Sequence, residues 1–358
     1  MRWNKQSGGV YSSFIRLTKT SVKWVTFGII SLILLAGLYL RMYGLGHQSL
    51  WIDEAYTINA AMAVNQHGYP FLDSGNIYVN NFVSVYISAV ITRFFGFDAF
   101  DPWTLRLPSV LFGVALIYAV YLLADRLFSN RKISLMAAFL TAFSYGEIVF
   151  SRQVRGYAVL ALLMVLVIYF LLKYVDGAKK GHLIWAVVFF ILAGFSHWVA
   201  LAFLPGILLI VLILNSKAYF PNFSRENLAT ISLVIFVSLT VITIVLFEPV
   251  KSRIIRYTLF PTFPFLATLL SFYAMKAIEI VLPRRSVSFK AILFPLFLIS
   301  ITYSFLTFYP TNHYELGMAS PQPDYKEAFS VIKSAQKTDD LIISARPVLH
   351  RIYLKQDG

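Results

Sequence analysis

The sequence contains no cysteine, so disulfide frameworks, thiolate zinc sites and cysteine nucleophiles are excluded. Charge is also scarce. Charged residues occupy 13% of the 358 positions, whereas a soluble domain carries about a quarter. Acids are the scarcer sign, 17 against 31 bases, for a formal net charge of +14. That excess forms no basic, aromatic-interleaved patch of the kind that holds nucleic acid. The bases sit instead on short connectors between apolar runs, as the positive-inside rule produces. No small-residue cleavage site follows the first apolar run. Leu40-Arg41-Met42-Tyr43 leads straight into aromatic loop sequence, which predicts an uncleaved signal anchor.

What the chain does have is apolar length. Apolar residues make up 58% of it, concentrated in runs such as 24–40, 107–123, 183–195 and 228–247. Each approaches the roughly 20 residues needed to cross a bilayer core. The expectation is an all-α polytopic membrane protein. Residues 1–23 carry Arg2, Lys5, Arg16, Lys19 and Lys23 and no acid, which predicts a cytoplasmic tail. Met42 to Tyr78 contains no Lys or Arg, as an exported segment should.

The segment 79–97 is apolar enough to be read as a span. Yet Asn80, Ser84, Ser88 and Thr92 recur every fourth residue, a polar stripe that favours a helix lying in the membrane plane. With 79–97 not crossing, Arg126, Arg131, Lys132, Lys173, Lys179, Lys180, Lys217, Arg225, Lys276, Arg284, Arg285 and Lys290 all fall on the cytoplasmic side. With it crossing, the rule breaks at each of these connectors.

About nine transmembrane helices follow from that choice, near 24–42, 107–124, 133–150, 157–173, 183–198, 200–214, 228–247, 258–282 and 291–309. The transmembrane domain is then 24–309, with an extracytoplasmic loop at 43–106 that contains in-plane helices. Residues 310–358 form an extracytoplasmic tail, αβ-like, with an amphipathic helix at 324–336 and a short strand at 341–345. The tail is too short for a core of its own, so it is either a truncated domain or packed on the membrane domain.

Chemistry-bearing residues cluster on the exported side. Asp53 and Glu54 open a helix in the first loop, where they are either dipole-complementing caps or a base and its neighbour. Arg152, Arg155 and Tyr157 form a second group and Lys251, Arg253 and Arg256 a third. Bases are disfavoured on this side, so each group is either an anchor at a span end or an anion site, since guanidinium forks suit phosphate. Arg106 opens a span, and His197 with Trp198 occupies an outer turn.

Taken in order, Trp51-Ile52-Asp53-Glu54-Ala55-Tyr56, Gly68-Tyr69-Pro70, Phe95-Gly96, Arg106-Leu107-Pro108-Ser109 and Arg155-Gly156-Tyr157-Ala158 resemble the C-type glycosyltransferases. The similarity is to the branch of protein O-mannosyltransferases and lipid A aminoarabinose transferases, and covers roughly residues 20–260. It implies a polyprenyl-phosphate sugar donor and transfer on the outer face with inversion at the anomeric carbon. By position, Asp53 matches the family's loop acid and base, Glu54 its neighbour, and Arg106 the arginine opening the second span. The Lys251–Arg256 loop resembles the region that holds the lipid phosphate.

Two departures stand out. Tyr78-Val79-Asn80-Asn81 replaces a His-Pro-Pro-like sequence, and Ala161 stands where several relatives carry an acid. The second leaves a divalent metal as the less favoured option, and the sequence identifies no cofactor. The expected activity is inverting glycosyl transfer to a hydroxyl acceptor in the cell envelope. The alternatives are a lipid or polysaccharide transporter, or a non-catalytic scaffold. A transporter calls for mid-membrane charges or broken, repeated helices, and no internal repeat is visible.

Overall fold

The computed structural model describes residues 7–72, 75–95, 101–177, 179–215, 225–247, 260–281, 324–337, 342 and 347–354. Among them the chain is helical, without a strand; an isolated bridge joins Phe71 and Ile77.

Helix α1 (Ser7–Met42) is followed by two shorter ones, α2 (Ile52–His67) and α3 (Phe82–Phe95), and then by α4 (Pro102–Phe128). The expected span 133–150 is interrupted. Helix α5 (Arg131–Phe143) stops at Ser144, whose hydroxyl accepts the Glu147 N–H at 3.4 Å and starts α6 (Tyr145–Phe150). Helices α7 (Tyr157–Gly177) and α8 (Lys180–Ser196) follow. A 3₁₀ segment, Trp198–Phe203, then leads into α9 (Leu204–Asn215). The remaining helices are α10 (Arg225–Phe247), α11 (Phe263–Val281), α12 (Tyr325–Ala335) and α13 (Pro347–Leu354).

Among the described residues, three helical stretches are long and apolar enough to cross a membrane: Lys23–Met42, Pro102–Phe128 and Tyr157–Gly177. At ~1.5 Å per residue they extend about 30, 40 and 32 Å, enough for the roughly 30 Å of a bilayer core. Shorter apolar helices, of 10–17 residues, lie within the stretches expected as spans between 183 and 282; the one expected at 291–309 lies outside the described residues. Helix α7 is apolar all round and is the axis of the bundle, buried along most of its length. Its side chains join those of α4, α10 and α11 in one core, where Phe203, Phe236 and Phe265 pack ring on ring. Helix α1 sits at the rim and turns Trp24, Phe27, Leu32, Leu35 and Tyr39 outward.

The fourteen described residues of α3 extend about 21 Å at ~1.5 Å per residue. Its polar stripe does not face water. Ser84, Ser88 and Thr92 are buried, and Asn65 of α2 donates to Thr92 Oγ1 at 2.9 Å and to the Ala89 carbonyl at 3.0 Å. The outward face is the apolar one, with Tyr86, Val90 and Phe94 exposed. Such a helix turns its polar stripe to the protein, where Thr92 is bonded and the Ser84 hydroxyl is buried without a partner among the described residues, and offers hydrocarbon to its surroundings.

The tail helices pack on the first loop. Ser49 donates to Asp324 Oδ1 at 2.6 Å, and the Leu50 N–H donates to the Tyr353 hydroxyl at 2.8 Å. Phe329, Leu349 and Ile352 share a hydrophobic cluster with Leu50, Ala55, Ile58 and Val154. The strand expected at 341–345 lies, except for Ile342, outside the described residues.

Candidate active site

Helix α2 starts at Trp51, and its first turn carries both acids. One helical step separates their directions by about 100°, so the neighbours face different surroundings. Glu54 turns inward and is fully buried. Its carboxylate accepts from Arg106 Nε at 2.9 Å and Nη2 at 2.8 Å, from the Trp51 N–H at 2.9 Å and from the Val154 N–H at 2.9 Å.

Arg106, reaching from the first turns of α4, is equally buried. Its other N–H groups go to the carbonyls of Leu45 at 2.8 Å, Gln48 at 3.0 Å and Ser49 at 3.0 Å. All five guanidinium donors are thereby engaged. A buried ion pair tolerates desolvation only when its remaining hydrogen-bonding groups are also satisfied, and this one meets that condition. It fastens the 45–54 loop to α4 and to the 151–156 turn.

Asp53 points the other way. Its side chain is 43% exposed and receives Arg155 Nη1 at 3.0 Å and Trp51 Nε1 at 3.2 Å, both on Oδ2. Oδ1 accepts no hydrogen bond among the described residues. Arg155 lies over the Tyr157 ring, 4.7 Å from its centre, and also donates to the Tyr157 hydroxyl at 3.2 Å. Burial works against its charge, but Tyr157, Asp53, Tyr78 and Glu54 oppose that, and the net effect raises its pKa. Its Nε is buried without a hydrogen-bond partner among the described residues. Arg155 is therefore less committed than Arg106.

The pair stands in the wall of a cavity of about 380 Å³, lined also by Tyr56, Leu72, Tyr78, Asn80, Asn81, His197 and Trp198. That volume falls in the range of about 300–1,000 Å³ typical of small-molecule sites. Residues 70–72 and 75–78 fold back on one another, with the Tyr78 N–H on the Pro70 carbonyl at 2.8 Å, and Leu72 and Tyr78 pack towards α2. Gly68 permits the turn into this segment: it caps α2 at φ 82°, a conformation that other residues adopt only at a cost.

His197 Nδ1 accepts the Val199 N–H at 3.3 Å and so starts the 3₁₀ segment. Burial first, and the Arg155 charge second, lower the imidazole to about 4. It is neutral at physiological pH, with Nε2 carrying the proton.

Gly156 explains how these parts come so close. A Cβ there would sit 2.4 Å from the Ser196 carbonyl oxygen and 2.6 Å from Asn81 Oδ1. Glycine alone lets the entry to α7 lie against both the end of α8 and the cavity wall.

The structure thus brings Asp53, Arg155, Tyr157 and His197 together. It places Glu54 and Arg106 beneath them, closed to any substrate. Arg152 serves elsewhere: its guanidinium caps the C-terminal end of α1, donating to the carbonyls of Leu40 at 3.2 Å, Arg41 at 3.3 Å, Tyr43 and Gly44 at 3.2 Å. Lys251, Arg253 and Arg256 lie outside the described residues. Tyr56, Tyr78, Asn80, Asn81 and Trp198 are additions to the expected site. The signal for the middle three was the Tyr78-Val79-Asn80-Asn81 departure itself, three hydrogen-bonding side chains in four positions. No group of three or more His, Asp or Glu suited to a metal occurs among the described residues.

Residues 80–248 match the family model of the dolichyl-phosphate-mannose-protein mannosyltransferases. Over that stretch, just under half of the chain, it is similar to this family of C-type glycosyltransferases. The match takes in Arg155, Tyr157 and His197, whereas Asp53 precedes it. Among solved structures, the oligosaccharyltransferase AglB of Archaeoglobus fulgidus, in complex with an inhibitory peptide and a dolichol-phosphate, is similar with a TM-score of 0.46. Identity is 14%, over 87% of this chain and 45% of that one. A second structure of the Archaeoglobus fulgidus oligosaccharyltransferase, tethered with an acceptor peptide, gives a TM-score of 0.44 and 15% identity, over 87% and 44%. The chain spans less than half the length of either. No curated protein matches it.

Proposed function

We propose that the chain transfers a sugar from a polyprenyl-phosphate donor to a hydroxyl acceptor, with inversion, in the cavity beside Asp53. The observation that carries this is the Asp53–Arg155 pair in the wall of a sugar-sized cavity, within a chain similar to this family. Asp53 Oδ1 takes the acceptor hydroxyl's proton. The oxygen forms its bond to the anomeric carbon as the bond from that carbon to the phosphate oxygen breaks. The electron pair leaves with the lipid phosphate.

Arg155 is the group in the wall suited to that growing charge. When it swings from Asp53 Oδ2 to the phosphate, the carboxylate loses its cation as the donor arrives. Neutral His197, the Asn80 amide and the rings of Tyr56 and Trp198 offer hydrogen bonds and apolar faces to the sugar. Glu54 and Arg106 are positioning residues. The lipid tail runs over the exposed apolar face of α3.

We further propose that this cavity opens outside the cytoplasm and that the N-terminus lies in the cytoplasm, the topology that the distribution of Lys and Arg favours. The hydroxyl acceptor is a component of the cell envelope.

Reconstituted protein given a radiolabelled polyprenyl-phosphate sugar should transfer label to acceptor, and Asp53→Asn should stop it. Transfer at an undiminished rate in Asp53→Asn would overturn the assignment of the base. Because the chain has no cysteine, single-cysteine variants at 53 and 155 can be labelled without background. Labelling of the two from opposite faces of the membrane would remove the site altogether.

A further inference from the structure

We propose that a groove between α1, α4 and α5, at the far end of the bundle from Asp53, binds an anionic phospholipid. The proposal does not depend on the sugar-transfer reading. The groove has a volume of about 440 Å³, within the range of about 300–1,000 Å³ that holds small ligands. One end is cationic, with Lys23 from α1 and Arg131 from the start of α5; the other is apolar, with Phe27, Ile30 and Leu34 along α1.

Distance separates this groove from the candidate active site. Lys23 precedes Met42 by nineteen residues, about 28 Å at ~1.5 Å per residue. That is close to the ~30 Å bilayer core, so the two sites lie on opposite faces of the membrane. From Lys23 to Leu34 is about 17 Å on the same ~1.5 Å rise, or roughly one leaflet of that core. The groove matches a lipid lying in its own leaflet, headgroup at the cations and acyl chain along α1.

Charge selects the headgroup. Lys23 and Arg131 are exposed and make no ion pair among the described residues. The neighbouring Arg126 is neutralised by Asp176 at 2.7 Å. Asp125 is the acid that, with Arg131, acts on Tyr121, which leaves two bases against one acid at this mouth. Arg131 is also the first residue of α5, whose N-terminal partial positive charge adds to the same corner. Tyr118 and Tyr121 stack at 6.1 Å and present their rings to the groove, an arrangement suited to the headgroup level. A zwitterionic lipid would bring its own cation to this basic end and lose that advantage.

The test uses the full chain in detergent and counts retained lipids by native mass spectrometry. Phosphatidylglycerol, phosphatidylcholine and glycerol 3-phosphate are offered at equal concentration. Phosphatidylglycerol should be retained preferentially, and Lys23→Gln with Arg131→Gln should weaken its retention about 30-fold, the loss that two surface cations represent. Lys179→Gln with Lys180→Gln, an exposed basic pair at the start of α8, should leave retention unchanged.

Leu34→Trp fills the apolar arm with both cations intact. It should reduce retention too, and it carries the test if the double variant does not fold. Equal retention of phosphatidylcholine would overturn the proposal, as would undiminished phosphatidylglycerol in both groove variants. Glycerol 3-phosphate bound as well as the lipid would also overturn it, since the apolar arm would then contribute nothing.

Discussion

Asp53 and Glu54 are consecutive residues of one helix turn, and each is paired with an arginine, yet the two ion pairs are built for opposite purposes. Glu54–Arg106 is sealed, with four bonds to the carboxylate and five from the guanidinium. Asp53–Arg155 is half open, with one carboxylate oxygen unused and one guanidinium nitrogen unpartnered among the described residues. A saturated pair has nothing left to offer a substrate. An unsaturated one beside a cavity does.

The two are also coupled. The Val154 N–H that bonds Glu54 belongs to the residue just before Arg155, so the closed pair sets the separation of the open one. Rigid support beneath an under-committed pair is the arrangement expected where charge must move during a reaction.

The comparison is sharpest under substitution. Asp53→Asn should cut transfer by about 10²- to 10⁴-fold, the usual range for a general base. Its stability cost should be at most about 1 kcal/mol, because the pair is partly solvated. The checks are a single-turnover transfer assay and a thermal-unfolding curve on the same sample. Glu54→Ala should reverse the pattern, costing about 3–5 kcal/mol by leaving Arg106 charged, buried and without its carboxylate. A Glu54→Ala protein that unfolds at the wild-type temperature but has lost transfer would make Glu54 a catalytic group and dissolve the distinction.

Gly156→Ala probes the seam between the two pairs. The added methyl clashes with both the Ser196 carbonyl and Asn81, at about 1–3 kcal/mol. Because the strain falls on the cavity wall, KM for the donor should rise more than stability falls. Unchanged donor KM with lowered stability would mean that the cavity does not bind the donor.

Reading this division from sequence met a limit that is physical. Composition and connector charge gave the helical membrane bundle, since each residue's contribution there is independent and additive. The same charges gave the expectation that 79–97, the stretch of α3, lies in the membrane plane. The direction of its polar stripe, however, depends on Asn65, fifteen residues before Asn80. Likewise an Asp-Glu pair shows that two carboxylates open a helix, but not which one points inward. That depends on where α4 delivers Arg106 and where the 151–156 turn presents Val154. Arg152 and Arg155 are equally alike in sequence, and the C-terminal end of α1 claims the first. Such assignments are fixed by long-range packing, which spacing along the chain does not encode.

The smallest expected effect concerns His197, and it tests whether the open region is as desolvated as its lining implies. Its imidazole is held at about 4, against an ordinary value of 6.5, by burial and by Arg155. Between those two values the unfolded chain binds a proton that the folded chain refuses. Proton uptake then favours unfolding, so stability falls as pH drops from 6.5 towards 4 and is flat above that window. His197→Gln removes the titrating group, so the difference between wild-type and variant unfolding temperatures should vary with pH only inside this window. Transfer by the wild type should likewise show no inflection from His197 near 6.5, because the folded imidazole is already neutral there. A difference that varies above pH 7 instead would mean that His197 is stabilised as a cation. That would require Arg155 to lie further from it, and the cavity as described would then lack its guanidinium.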